Sequence, residues 1–155
     1  MTDLKTNLQI LKNDIEFGLS SEKRLMNTLG NKFGADIQKS TDKYCNYDFY
    51  TEKHKIELKT RRCNHNTYPT TIIPVKKTQQ EGSLIFTFCF ADKLCYIEYD
   101  KEKFSKYRVE NIEYIRAFGK ITQVPHYHIP IEDLIEIEMT HKEQKNEKKY
   151  LGYIY

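Results

Sequence analysis

The residues with the clearest chemical content lie between Tyr44 and Arg62, where Asp48 is followed by the tripeptide Glu57-Leu58-Lys59. Side chains of a strand alternate between its two faces. Glu57 and Lys59 therefore share one face with Lys55 and Arg61, and His54, Ile56, Leu58 and Thr60 share the other. On the stretch before them Asn46, Asp48 and Tyr50 form a polar side, opposite Cys45, Tyr47 and Phe49. One face is expected to be core and the other to carry chemistry. A hairpin closed at Glu52-Lys53 pairs residues whose numbers sum to 105, which sets Asp48 opposite Glu57. A longer turn from Thr51 to His54 keeps that register. A three-residue turn would set Asp48 against Leu58 and bury a carboxylate, so parity favours the paired carboxylates. Glu52-Lys53 is poor turn chemistry, which weakens the turn but not the parity.

Two carboxylates at cross-strand distance repel unless a cation lies between them. Hard oxygen ligands select Mg²⁺ or Mn²⁺. Lys59 projects from the same face roughly 6 to 7 Å beyond Glu57, given the rise of a strand. That places its amine within reach of a metal-bound water or a phosphate oxygen. Such a lysine can orient or activate water while the metal polarises the phosphoryl group.

With Asp48 as the motif aspartate and Glu57-Leu58-Lys59 as the (D/E)xK tripeptide, the chain resembles the PD-(D/E)xK nuclease superfamily, the restriction-endonuclease-like fold. The resemblance spans about residues 20–99. Tyr47 stands where the family name has proline. It implies that Asp48 and Glu57 bind the metal with help from the Leu58 carbonyl, and that Lys59 serves the attacking water. It implies further that Glu22, on the first helix of the core, assists. A helix or loop after the hairpin often contributes a Lys or Gln in this family; Lys76, Gln79 and Gln80 are the candidates. The activity implied is metal-dependent hydrolysis of phosphodiester bonds in DNA, rather than RNA, by an endonuclease. The alternative is a catalytically inactive nucleic-acid-binding or protein-interaction module on the same fold. A homodimer is expected by analogy only.

The elements that must position these residues point to an α/β (α+β) fold, a central mixed sheet of about five strands flanked by helices. Leu4, Leu8, Leu11 and Ile15 recur at helical spacing over 3–17. A second helix starts at Ser20 or Ser21, carries Leu25, Met26, Leu29 and Phe33 on one stripe, and stops at Gly34. Glu22 falls on that stripe one turn earlier, where it serves either the site or the helix dipole. Ala35 to Lys39 is a short strand, Cys63 to Thr71 a loop, and Pro74 opens a short helix ended by Gly82. Leu84 to Phe90 reads as a strand buried on both faces, turning at Ala91-Asp92-Lys93 into Leu94 to Tyr99. The remaining residues, 100–155, form a C-terminal elaboration of unassigned role: a basic segment, strand residues around Ile112 to Phe118, a loop with His126 and His128, and a helix opened by Pro130 carrying Ile131, Leu134 and Ile135.

The 155 residues suit one domain, with 30% charged and 39% hydrophobic residues. No apolar run reaches membrane-spanning length and the start lacks a secretory pattern, so an intracellular location, cytoplasm or nucleus, and no membrane partner are expected. The four cysteines lack CxxC spacing and read as free thiols. A net charge of +3 is too small to define a nucleic-acid binder. Its placement says more: Lys53, Lys55, Arg61, Arg62, Lys76 and Lys77 bracket the site, and Arg61, Arg62, Lys76, Lys77 and Gln79 are the expected nucleic-acid contacts. The richness in Lys, Asn, Ile and Tyr fits an AT-rich genome, viral or microbial. Glu143-Gln144-Lys145 and Glu147-Lys148-Lys149 also fit the tripeptide but lie in a polar segment without strand alternation, which reads as a solvated tail. His126-Tyr127-His128 and Cys63-Asn64-His65 lack the further ligands a zinc site needs. There is no Gly-rich phosphate loop and no serine nucleophile elbow.

Overall fold

The structure, a computed structural model, describes Gln9, Lys12, residues 24–42 and residues 45–139. Gln9 and Lys12 are helical. The rest of the expected first helix, Glu22 and the polar tail lie outside the described residues. The second helix, α1, is described over 24–33 and ends at Gly34 as its sequence implies. Leu25 and Leu29 are buried, with Met26 and Phe33 packed beside them.

The strands are β1 (Gln38–Lys39), β2 (Phe49–Tyr50), β3 (His54–Thr60), β4 (Thr70–Pro74), β5 (Ser83–Cys89), β6 (Leu94–Glu98), β7 (Val109–Ile115), β8 (Ile121–Pro130) and β9 (Ile135–Glu136), with a short helix α2 (Lys101–Ser105) between β6 and β7. Six of them form one mixed sheet in the order β1-β2-β3-β5-β6-β9. Its centre is the parallel pair β3 and β5, and the other pairings are antiparallel. Seven-residue β5 is buried almost throughout, as its run of Leu, Ile and Phe requires for a strand covered on both faces.

What covers those faces differs. Ile56, Leu58, Ile85 and Leu94 pack with α1 and Phe49. Leu84, Phe86, Phe88 and Ile97 pack instead with Ile73, Phe104 and Ile129, from β4, α2 and β8. A second, three-stranded antiparallel sheet, β4-β8-β7, thus lies over the face that the alternation assigned wholly to chemistry. This corrects three readings of the sequence. Thr70 and Thr71 begin a strand rather than end a loop. His126 and His128 lie in β8 rather than in a loop. The helix at Pro130 shrinks to a 3-10 turn, Ile131–Asp133, before β9. The polar residues and prolines of these strands hid them: β4 opens with two threonines and ends in Pro74, and β8 carries Gln, two His, Pro125 and Pro130. Pro74, by contrast, opens a short 3-10 helix, Val75–Thr78, near where the sequence placed one.

The hairpin joining β2 to β3 has the expected register, Phe49 opposite Ile56 and Tyr50 opposite Lys55. Side chains supply what the Glu52-Lys53 turn lacks. The Thr51 hydroxyl accepts from the N–H groups of Lys53 (3.2 Å) and His54 (3.0 Å), and the Asp36 carboxylate accepts from Glu52 N–H at 2.7 Å. Gly34 makes this possible, since a Cβ there would stand 2.6 Å from Asp36 Oδ1 and 3.2 Å from Thr51 Cγ2. Thr51→Val is therefore expected to destabilise the protein by about 1 to 2 kcal/mol, the range for a lost buried hydrogen bond. Urea unfolding measures it, and an unchanged midpoint would leave Asp36 as the sole brace of the turn.

Candidate functional site

Asp48 is held by its backbone on both sides. Its N–H donates to the Ile56 carbonyl (2.9 Å) and its carbonyl accepts from Ser40 N–H (2.8 Å). Beyond Phe49 the pairing of β2 with β3 gives way, and the Asp48 side chain takes over: Oδ2 accepts from Leu58 N–H at 2.8 Å. The N–H and C=O of one strand residue share an edge, so the Leu58 carbonyl also belongs to the Asp48 side of β3. On its other edge, β3 is fixed by β5 and by the Thr87 hydroxyl, which donates to the Glu57 carbonyl at 2.8 Å.

Glu57 is only 6% exposed. Its Oε1 pairs with Lys59 Nζ at 3.1 Å and with Lys77 Nζ at 3.4 Å, while Oε2 is buried without a hydrogen-bond partner. Burial pushes the Glu57 carboxyl above its ordinary value, the charge of Asp48 pushes it further, and Lys59 and Lys77 pull the other way. The sum is a carboxylate held at a cost, in spite of two ammonium groups.

Of the residues singled out in the sequence, Asp48, Glu57, Leu58 and Lys59 come together. Lys77, expected to touch nucleic acid, reaches Glu57 itself. Sequence spacing could not show this, because the 3-10 turn that carries Lys77 is brought to β3 by β4 and the second sheet. Gln80 donates to the carbonyls of Lys77 (2.9 Å) and Asn46 (3.4 Å), and Lys77 Nζ also reaches the Asn46 carbonyl at 3.4 Å. This ties the turn to the chain just ahead of Asp48. Arg61 faces β4, donating to Thr71 Oγ1 (3.2 Å) and the Ile72 carbonyl (2.7 Å), with its guanidinium 5.7 Å from the Phe88 ring. It braces the two sheets. Lys55 donates to the Glu81 carbonyl at 2.9 Å. Arg62, Lys76 and Gln79 are exposed.

His126 and His128 have other occupations. The Val124 carbonyl can only accept, so His126 Nδ1 is the donor at 2.8 Å, and Nε2 shares a hydrogen bond with the Tyr114 hydroxyl at 3.1 Å. His128 meets Thr70 Oγ1 at 3.0 Å and Glu110 Oε2 at 3.1 Å. None of the four cysteines is in a disulfide, and burial pushes the Cys95 thiol up to about 11. Among the described residues no three of His, Cys, Asp and Glu converge as a metal-binding group. Nor is any described helix long and apolar enough to cross a membrane. No protein-family model, curated protein or solved structure matches the chain.

The donor set nevertheless fits a hard divalent cation, because a buried carboxylate oxygen stands unpartnered beside a second carboxylate. The raised Glu57 pKa gives this a thermodynamic sign. The folded protein keeps that proton to higher pH than the unfolded chain does, so Glu57 lowers stability progressively as pH rises from the unfolded value through the folded one. Glu57→Gln removes the titration. Above that window the variant is expected to melt no lower than the wild type, and Mg²⁺ is expected to raise the melting temperature of the wild type alone. Equal Mg²⁺ stabilisation of both proteins would remove Glu57 from any cation site.

Proposed function

We propose that the protein is a Mg²⁺- or Mn²⁺-dependent nuclease of the restriction-endonuclease-like type, acting on phosphodiester bonds of DNA. The observation that carries this reading is the buried Glu57 carboxylate, with one oxygen unpartnered, next to Asp48 across the hairpin and 3.1 Å from Lys59 along the same strand face. A mixed sheet with β3 and β5 parallel at its centre and α1 packed on one face is compatible with such a core.

In this reading Asp48 and Glu57, with the Leu58 carbonyl, hold the cation. When bound, the cation supplies Lewis acidity toward a phosphoryl oxygen and makes water a better nucleophile. The chain's own groups do the rest. Asp48 is oriented by the Leu58 N–H, so its position depends on the same peptide that separates Glu57 from Lys59. Lys59 Nζ donates a hydrogen bond to the attacking water and directs its lone pair at phosphorus. Lys77 places a second ammonium where charge accumulates on the non-bridging oxygens as the bond to the leaving oxygen lengthens. Arg62, Lys76 and Gln79 lie exposed after β3 and along the 3-10 turn, on the path of backbone phosphates.

A second reading, a nucleic-acid-binding module without catalysis, is favoured by the two lysines that already neutralise Glu57. Cleavage of plasmid, linear and branched DNA and of RNA, with Mg²⁺, Mn²⁺ or EDTA, separates the two. Under the nuclease reading Asp48→Asn, Glu57→Gln and Lys59→Ala each lower the rate at least about 100-fold, the scale of a lost acid-base or electrostatic group. Lys77→Met lowers it by a smaller factor. Cleavage that persists in EDTA or in all three variants contradicts the assignment. Binding with no cleavage under any condition supports the second reading.

A further inference from the structure

β4 pairs with β8 only from His126 to Pro130, whereas β7 accompanies β8 along the whole stretch from Tyr127 to Ile121. Beyond His126 the second sheet therefore continues as a two-stranded arm. Over five residues at the rise of a strand it extends roughly 17 Å. Pro125 removes a ladder donor where the pairing with β4 ends. The arm leaves the body at Pro74, the residue that opens the 3-10 turn bearing Lys77, so it departs from the end of the second sheet nearest Glu57.

Bare two-stranded ribbons are marginal in water. This one is stiffened from within. Tyr114 stacks on His126 with centroids 5.8 Å apart and shares a hydrogen bond with it, and Arg116 covers the Tyr114 ring at 5.1 Å. Its tip does the opposite of what a solvated turn should do. Phe118 is fully exposed, at 108%, with Ile115 at 79% and Ile121 at 59% beside it. Phe118 also occupies a left-handed backbone conformation (φ 63°, ψ 22°), a place for Gly or Asn that disfavours a bulky side chain. Among the described residues nothing repays either cost. Arg116 and Lys120 flank it, and no Asp or Glu occurs between Glu113 and Glu132.

We propose that this arm is a wedge for DNA with an unpaired or kinked step: Phe118 stacks on the exposed base while Arg116 and Lys120 contact the phosphates on either side. An exposed aromatic between cations is the chemistry that recognises an unstacked base. An acid-free tip at the site end of the second sheet suits a polyanion seated on Lys59 and Lys77. The inference rests on the nucleic-acid substrate of the proposed function and adds that the preferred substrate carries a break in stacking.

The chain has no tryptophan, so Phe118→Trp installs a single indole at an exposed position, excited at wavelengths where the twelve tyrosines do not absorb. In EDTA, to prevent cleavage, the variant is titrated with a gapped duplex, the fully paired duplex and the single strand. Quenching that is strongest with the gapped duplex is expected, together with affinity about tenfold weaker in Phe118→Ala by anisotropy, the scale of one base–aromatic stack. Emission unchanged by DNA that demonstrably binds would overturn the wedge. So would self-association, or binding to anionic vesicles, that Phe118→Ala abolishes while DNA affinity stays intact. Failure of the nuclease reading is separate: the wild type would then cut nothing in Mg²⁺, whatever the tip does.

Discussion

A carboxylate placed in the interior with one oxygen unanswered is the constraint around which this molecule is arranged. Glu57 sits on β3, the strand shared by the hairpin and the parallel centre of the large sheet. Each neighbour that fixes it does so through a different part of the same tripeptide: Thr87 holds its carbonyl, Asp48 holds the Leu58 N–H, and Lys59 and Lys77 answer one carboxylate oxygen. Burying a charge in this way is unfavourable unless something collects on it. The surrounding architecture then reads as support. α1 and Phe49 press on the Ile56 and Leu58 side, so β3 cannot rotate to release Glu57 to solvent.

The hairpin was legible because its information is local. Parity of apolar and polar residues at 45–50 and 54–61 permits one register, which Phe49 opposite Ile56 and Tyr50 opposite Lys55 realise; the ladder stops there, and Asp48 meets β3 through the Ile56 carbonyl and the Leu58 N–H. The stop of α1 at Gly34 and the doubly buried β5 were legible for the same reason, a pattern dense enough to leave one period. The weakness of the Glu52-Lys53 turn is local too, and legible for that reason. Its remedy was not legible, because Asp36 reaches Glu52 from a loop sixteen residues away.

The second sheet was hidden for a physical reason. β4 has the sequence Thr-Thr-Ile-Ile-Pro, and β8 mixes Thr, Gln, Pro and His with its apolar residues. Their burial is set by what lies beneath them, Phe86, Phe88 and Phe104, and not by a strong period of their own. That sheet adds two contacts that sequence spacing does not show: its turn delivers Lys77 to Glu57, and β4 engages the Arg61 guanidinium through Thr71 and Ile72. Residues near the site in sequence and residues near it in space are different sets here.

The central claim is that Asp48 and Glu57 enclose one divalent cation within reach of Lys59. Anomalous diffraction from crystals grown with Mn²⁺ tests it most directly. The account predicts a peak bounded by the Asp48 and Glu57 carboxylates on the Leu58 carbonyl side of β3. Crystals with that position occupied only by Lys59 and Lys77, and Mn²⁺ bound elsewhere, would contradict it.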